Sequence, residues 1–266
     1  EIPFAKMVGA GNDFILVDNR AGLLTDDVSS FVNRVCSRRV SVGADGVLLL
    51  EQSRVSDFKM RYFNADGGEA EFCGNGARCI ALYAFLNGIG AKEMSFESRA
   101  GVRRAQVDGS RVTIEMPDPT DIRLRLPLSE ETLPAHFVNV GVPHVVLFLE
   151  RVDEADVVRR GRAVRKMDRF QPAGTNVNFV QLLNSARLKV RTYERGVEDE
   201  TYSCGTGVCA SAVMAHLVHR VPSPVRVLTR AGETLTVSFR PQGGRITHCT
   251  LTGQARIVYH GTLIFD

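Results

Sequence analysis

Phe72-Cys73-Gly74-Asn75-Gly76-Ala77 decides the architecture, because the chain repeats it almost word for word as Ser203-Cys204-Gly205-Thr206-Gly207-Val208. Both stretches have the form Cys-Gly-x-Gly, and both open a run rich in Ala with Leu or Val that suits a helix. The second cysteine follows the first by 131 positions (204 against 73) in a chain of 266 residues. The same offset relates Ser98-Arg99-Ala100-Gly101 to Thr229-Arg230-Ala231-Gly232, and Phe14-Ile15-Leu16 to Val145-Val146-Leu147. Asp66-Gly67 precedes the first cysteine much as the acidic, Gly-containing stretch Gly196 to Glu200 precedes the second. Separate stretches sharing one spacing argue for an internal duplication. Two similar lobes are expected, each supplying one cysteine from the turn that starts a helix.

Outward from the first turn, Ala77 to Leu86 reads as a helix with Gly88 as its stop. Before it, Phe58, Met60 and Tyr62 alternate with Lys59 and Arg61, a strand with one wet face. Val47 to Leu50 reads as a short buried strand. Val28, Phe31, Val32 and Val35 recur at helical spacing, after Thr25 as an expected N-cap and Asp26-Asp27 as an acidic first turn. Residues 4 to 17 read as strand, turn and strand about Val8-Gly9-Ala10-Gly11-Asn12. Val112, Ile114 and Met116 alternate as a further strand. Pro117-Asp118-Pro119 interrupts regular structure and marks the expected lobe boundary, giving lobes at 1–118 and 119–256. The second half repeats the plan. It has strand about Gly141-Val142-Pro143, helix from Asp156 to Lys166, strands from Asn176 and Leu188, and helix from Val208 to Val218. Strands near 225–229, 234–239, 246–251 and 256–259 follow. The fold class expected is α+β, two pseudo-symmetric lobes with an active-site cleft between them.

Hydrophobic content of 44% and charged content of 24% are those of a globular protein. A net charge of +3 gives no ground for nucleic-acid or membrane binding. No apolar run approaches the roughly 18 residues of a membrane span, and no signal-peptide pattern opens the chain. The six cysteines therefore read as reduced thiols of a cytoplasmic protein. Zinc would want closely spaced pairs with matching partners. Cys73-x5-Cys79 and Cys204-x4-Cys209 each fall at a helix start, so no metal is expected.

The useful base or nucleophile is the thiolate, and a helix N-terminus favours it, because unpaired N–H groups and the dipole point at the sulfur. The flanking glycines let a ligand approach the backbone, where the same helix start can hold a carboxylate. With the lobes facing one another, two sulfurs would stand on opposite sides of one bound carboxylate substrate. One would remove a proton and the other return one to the opposite face, inverting a carbon centre. A lone cysteine reads as a buried, inert thiol. Two in repeated glycine turns do not, whereas Cys36, Cys79, Cys209 and Cys249 keep the inert reading. Glu194-Arg195 fits either a surface ion pair or a grip on an ammonium and a carboxylate. Asn12 and Asn64, taken alone, read as turn residues held by left-handed geometry or local hydrogen bonds, and His144 fits either a structural histidine or a support to the site.

Five segments together carry a family resemblance. They are Met7 to Phe14, Phe63 to Glu69, Cys73-Gly74-Asn75-Gly76-Ala77-Arg78-Cys79, Tyr193-Glu194-Arg195-Gly196 and Cys204-Gly205-Thr206-Gly207. In that order, from residue 4 to the C-terminus, they resemble the diaminopimelate epimerases. Cys-Gly-x-Gly alone would indicate only the wider cofactor-independent racemases. The resemblance implies interconversion of LL- and meso-diaminopimelate without pyridoxal phosphate or any other cofactor, in lysine and peptidoglycan precursor synthesis. It implies Cys73 and Cys204 as acid/base pair, and Gly74, Asn75, Gly205 and Thr206 at the reacting carboxylate. Asn12, Asn64, Asn176, Glu194 and Arg195 match positions that hold the rest of the substrate. Each lobe is expected to wrap a mostly antiparallel or mixed sheet round a central helix, with residues 257–266 returning to the first lobe and two chains forming a homodimer. Gly46 stands where many members carry Gln, and Val142 where many carry Asn, which puts a side-chain contact from either position in doubt.

Three rivals compete. The nearest is a racemase or isomerase for another amino or carboxylic acid, though a small cyclic substrate would not need Asn176, Glu194 and Arg195 as a distal grip. A dinucleotide-binding oxidoreductase would use Gly9-x-Gly11, but Phe14 stands where its third small residue belongs. A non-catalytic binding protein would give no α-proton exchange.

Overall fold

The structure is a computed structural model and describes residues 1–24, 27–129, 131 and 133–264. It divides into two compact units, residues 1–114 with 253–266, and residues 115–252.

The first unit runs β1 (Ile2–Gly9), β2 (Asn12–Asp18), α1 (Val28–Cys36), β3 (Gly46–Glu51), β4 (Phe58–Asn64), β5 (Glu69–Ala70), α2 (Gly74–Leu86), β6 (Glu93–Ser98), β7 (Gly101–Asp108) and β8 (Arg111–Glu115). β1 and β2 form a hairpin in which Gly9 faces Asn12. Its two turn residues, Ala10 and Gly11, both have positive φ, at 52° and 85°, as a tight turn between twisted strands requires. β2 and β3 run parallel through the α1 crossover, with Phe14 beside Gly46. β3 and β4 are antiparallel, placing Gly46 beside Asn64.

Phe14 to Val17 and Val47 to Leu50 are buried without a break because these strands are covered on both faces. Ile15, Val17, Val47 and Leu49 pack with Phe31, Val32 and Val35 of α1. On the other face α2 contacts β1, β2, β3, β4 and β7. Every residue from Gly74 to Leu82 is buried, so the sheet wraps a helix that is apolar almost all round.

The N-terminus of α1 departs from the sequence reading. Thr25 and Asp26 lie outside the described residues. Asp27 is itself the N-cap, in the left-handed region at φ 41°, and its carboxylate accepts from Ser30 N at 3.2 Å.

The second unit repeats the order: β9 (Thr120–Leu126), β10 (Ala135–Asn139), β11 (Pro143–Phe148), α3 (Val157–Arg165), β12 (Asn176–Asn184), β13 (Arg187–Glu194), β14 (Asp199–Thr201), α4 (Gly205–His219), β15 (Val225–Leu228), β16 (Thr234–Gln242) and β17 (Arg245–Gln254). β11 and β12 are parallel, and β12 and β13 antiparallel, as β2, β3 and β4 are. α4 is the buried central helix, in contact with β10, β11, β12, β13, β15 and β16. Val157 and Val164 of α3 cover the other face with Val177, Phe179 and Tyr193. The last strand, β18 (Arg256–Leu263), pairs antiparallel with β1 in the first unit. The fold is thus α+β and duplicated.

β9 was not legible as a strand. It is exposed along most of its length, carries positive φ at Asp121 and Arg125, and shifts register twice against β10. Among the described residues no helix is long and apolar enough to cross a membrane.

Candidate active site

Each unit presents a candidate cysteine at the start of its own central helix. In the first unit Cys73 is the N-cap of α2. Its extended backbone (φ −137°, ψ 113°) turns the sulfur back over the helix end, and Sγ accepts from Gly76 N at 3.4 Å. An amide hydrogen aimed at sulfur stabilises the thiolate form. Gly76 lies close against the sheet: a Cβ there would stand 2.9 Å from Leu48 Cδ2 on β3, and that side chain would have to shift.

Asn75 and Asn12 are brought together although 63 positions separate them, Asn75 Nδ2 donating to Asn12 Oδ1 at 2.7 Å. Asn12 Nδ2 in turn donates to Asp45 Oδ2 at 2.9 Å. Asp45 also accepts from Asp13 N at 3.2 Å and Arg38 Nη2 at 2.9 Å. Lys6 and Arg38 both pair with Asp13. Burial opposes ionisation of Asp13, but the two cations hold its carboxyl below the usual range.

Asn64 ends β4 at the mouth of a turn closed by Asn64 N to Gly68 O and Gly67 N to Asn64 O, both 2.9 Å, and is exposed. Its neighbour Gly46 has no room for a side chain. A Cβ there would lie 2.4 Å from the Phe63 carbonyl oxygen and 2.7 Å from the Tyr62 ring. Whatever a longer residue does at this position elsewhere, this backbone excludes it.

In the second unit Cys204 is the N-cap of α4 with nearly the same backbone, φ −116° and ψ 111°. Its Sγ lies 3.4 Å from Thr206 Oγ1, and it is more deeply buried than Cys73. Asn176 is buried, and its Oδ1 accepts from Arg195 N at 2.8 Å, while Arg195 Nη1 donates to Ala173 O at 2.6 Å. Asn176 therefore fixes the backbone that carries Glu194 and Arg195. Burial pushes the Glu194 carboxyl up. Val142 is half-buried in the turn before β11.

Beneath the Cys204 turn lies a polar group of which the sequence reading singled out only His144. A Cβ on Gly207 would meet Asn178 Oδ1 at 2.4 Å and Thr192 Oγ1 at 3.3 Å. Thr192 donates to Asn178 Oδ1 at 3.0 Å, and Asn178 Nδ2 reaches the Val145 carbonyl and His144 Nδ1, both at 3.0 Å. An amide nitrogen can only donate, so His144 Nδ1 accepts and its hydrogen sits on Nε2. His144 is fully buried, and burial pushes it down to about 3, so the ring is neutral. Its Nε2 has no hydrogen-bond partner among the described residues. The available signal was polarity out of place, Asn178 and Thr192 facing each other on the covered faces of neighbouring strands. The other cysteines keep their inert reading. Cys36, Cys79, Cys209 and Cys249 are buried, and burial pushes the Cys36 thiol up to about 11.

The sequence model of the diaminopimelate epimerase family matches residues 4–121 and 136–258. A diaminopimelate epimerase of Aquifex aeolicus is 41% identical over 273 residues, covering 98% of this chain and 97% of that protein. One of Chlorobaculum tepidum is 43% identical, covering 97% and 99%. Among solved structures, a phenazine biosynthesis protein of the PhzF family from Bacillus anthracis superposes with TM-score 0.76 at 15% identity, over 99% of both chains. A probable proline racemase of Agrobacterium radiobacter, with bound carbonate, gives 0.73 at 14%, over 100% of this chain and 94% of that one. At such identities these last two speak for the fold alone. The full-length relatives and the matched family model decide the matter, and this chain belongs to the diaminopimelate epimerase family.

Proposed function

We propose that the protein interconverts LL- and meso-diaminopimelate by a two-base mechanism, with Cys73 and Cys204 as thiolate and thiol. The observation that carries this reading is that both cysteines cap the central helix of their repeat with matching backbone conformation. An α-hydrogen beside a carboxylate is a very weak acid. Removing it needs stabilisation of the charge that develops on the carboxylate. The N-terminal N–H groups of α2 and α4, from Gly74, Asn75, Gly205 and Thr206, are suited to that charge. One sulfur takes the α-proton, the other delivers a proton to the opposite face, and the roles exchange for the reverse reaction.

The substrate has two amino-acid ends, so the enzyme must hold the end it does not invert. Asn12, Asn64, Asn176, Glu194 and Arg195 are assigned that grip. Arg195 suits a carboxylate, and Glu194 an ammonium. Proton transfer between two sulfurs and carbon has no step that calls for a metal or organic cofactor. Two working thiols want a reducing compartment, which fits the cytoplasm and a role in making lysine and peptidoglycan precursors. A homodimer formed along β18 completes the reading. Among the described strands β18 pairs with β1 alone, and it exposes Val258 and Tyr259. Sedimentation at twice the chain mass checks it.

The deciding experiment is NMR of reduced protein with LL-diaminopimelate in D2O. Deuterium should enter the α-position as the meso isomer appears, with no cofactor added. No exchange with this substrate, but exchange with proline or another amino acid, would reassign the substrate within the racemases. No exchange with any would sink the catalytic reading.

A further inference from the structure

Arg78 lies on α2 one turn beyond Cys73 and is the largest fully buried side chain among the described residues. Arginine is rarely fully buried unless it is paired. Its Nη2 donates to Asn75 Oδ1 at 2.7 Å, and its Nη1 lies 3.4 Å from the Gly74 carbonyl oxygen. From there the hydrogen bonds run one way. Asn75 Nδ2 donates to Asn12 Oδ1, and Asn12 Nδ2 donates to Asp45 Oδ2. Two carboxamides thus stand head to tail between a cation and a carboxylate.

The two ends dictate the middle. A guanidinium only donates, so Asn75 must turn its oxygen to Arg78. An ionised carboxylate only accepts, so Asn12 must turn its nitrogen to Asp45. The link between the amides, nitrogen of Asn75 to oxygen of Asn12, is the one arrangement that satisfies both ends. Such a chain polarises each member, so its bonds strengthen one another. Among the described residues the relay uses one of the two Asn12 amide hydrogens, which leaves the other available as a donor to a ligand.

We propose that Arg78 is a positioning residue for the substrate. Through Asn75 it holds the Asn12 amide in its donor orientation, with Asp45 as the opposite pole. This rests on the reading of Asn12 as a substrate-binding residue. Arg78 acts through Asn12, so it governs binding of the end Asn12 holds more than proton transfer at sulfur.

The test uses the full-length reduced chain. Arg78→Lys, Arg78→Met, Asn75→Asp and Asn12→Ala are compared singly, and the first three are also combined with Asn12→Ala. Asn75→Asp keeps a partner for the buried cation but cannot donate to Asn12, so it breaks the relay even where Arg78→Met fails to fold. Each single change is expected to raise KM for LL-diaminopimelate about tenfold, and the Arg78 changes to move kcat less than about threefold, whereas Asn75→Asp, at the reacting carboxylate, is read on KM and on the double-variant comparison. In the Asn12→Ala background the Arg78 and Asn75 changes should then add less than about twofold. Costs that multiply, or a wild-type KM in Asn75→Asp, would overturn the relay. A second readout needs no substrate. In protein labelled with 15N-asparagine, Arg78→Lys should shift the side-chain amide signals of both Asn75 and Asn12. A shift confined to Asn75 overturns the proposal even if diaminopimelate proves not to be the substrate, whereas an inactive wild type whose amides both shift would count only against the substrate assignment.

Discussion

At the scale of single residues, the two cysteines invite the simplest substitution. Serine is a good N-cap, so Cys73→Ser and Cys204→Ser should fold with melting temperatures close to the parent. Epimerisation should nevertheless fall by about 10²–10⁴, measured as product formation, because an alcohol is far too weak an acid to replace the thiol. Near-native turnover in either variant would end the two-base reading. His144 offers a pH prediction whose sign is fixed by burial. Its folded value lies near 3 against 6.5 for the ordinary side chain, so the unfolded chain binds more protons between those values. The contribution to stability is complete above about pH 6.5 and is lost progressively as pH falls toward 3. Urea unfolding from pH 7 to 4 should show this loss, and His144→Asn should flatten the curve. Equal slopes in parent and variant would show that the ring is not held neutral. Gly46→Gln should destabilise the chain by about 1–3 kcal/mol in urea unfolding. Its Cβ has the Phe63 carbonyl 2.4 Å away.

At the scale of elements, each central helix starts where it does because a glycine three residues after the cysteine lets the helix press against the sheet. Gly207 is the stricter case, since a Cβ would reach Asn178 Oδ1 at 2.4 Å. Gly207→Ala should destabilise by about 1–3 kcal/mol and depress turnover, because it displaces the Asn178–His144 pair below Cys204. Calorimetry together with product formation checks both effects. The helix starts were legible in sequence because everything that makes them is local: a cysteine, two glycines and an apolar run within a dozen residues. The relay behind Asn12 was not. Its members sit on β2, in the turn before β3 and on α2, and only the packing of α2 against that hairpin makes them neighbours.

On the scale of the molecule, duplication explains why a strand from the end of the chain is needed near its beginning. β18 pairs with β1 along its length, from Ile2 opposite Leu263 to Val8 opposite Arg256. Removing residues 253–266 would expose that edge of β1 and uncover Phe4, which packs against Tyr259. Such a truncation should unfold the first unit at lower denaturant than the second, separating one transition into two. Limited proteolysis with fragment mass analysis reads it directly: early cuts should fall within residues 1–114. A truncated chain that unfolds in step with the parent would show that β1 does not depend on β18.

The sequence by itself determined the duplication, the α+β class, the two capping cysteines and the family, because each is written in short patterns or in their repetition at one offset. Tertiary structure decided what no pattern of that length can hold. It put Asn12, Asp45 and Arg78 in one hydrogen-bonded line, turned Asn176 into the brace of Arg195, and fixed the tautomer of His144 through Asn178. It also closed position 46 to any side chain. The physical reason is common to all four. Hydrogen bonds and steric contacts act over about 3 Å, and the residues that make them here come from strands and helices whose proximity is set by burial of the two cores.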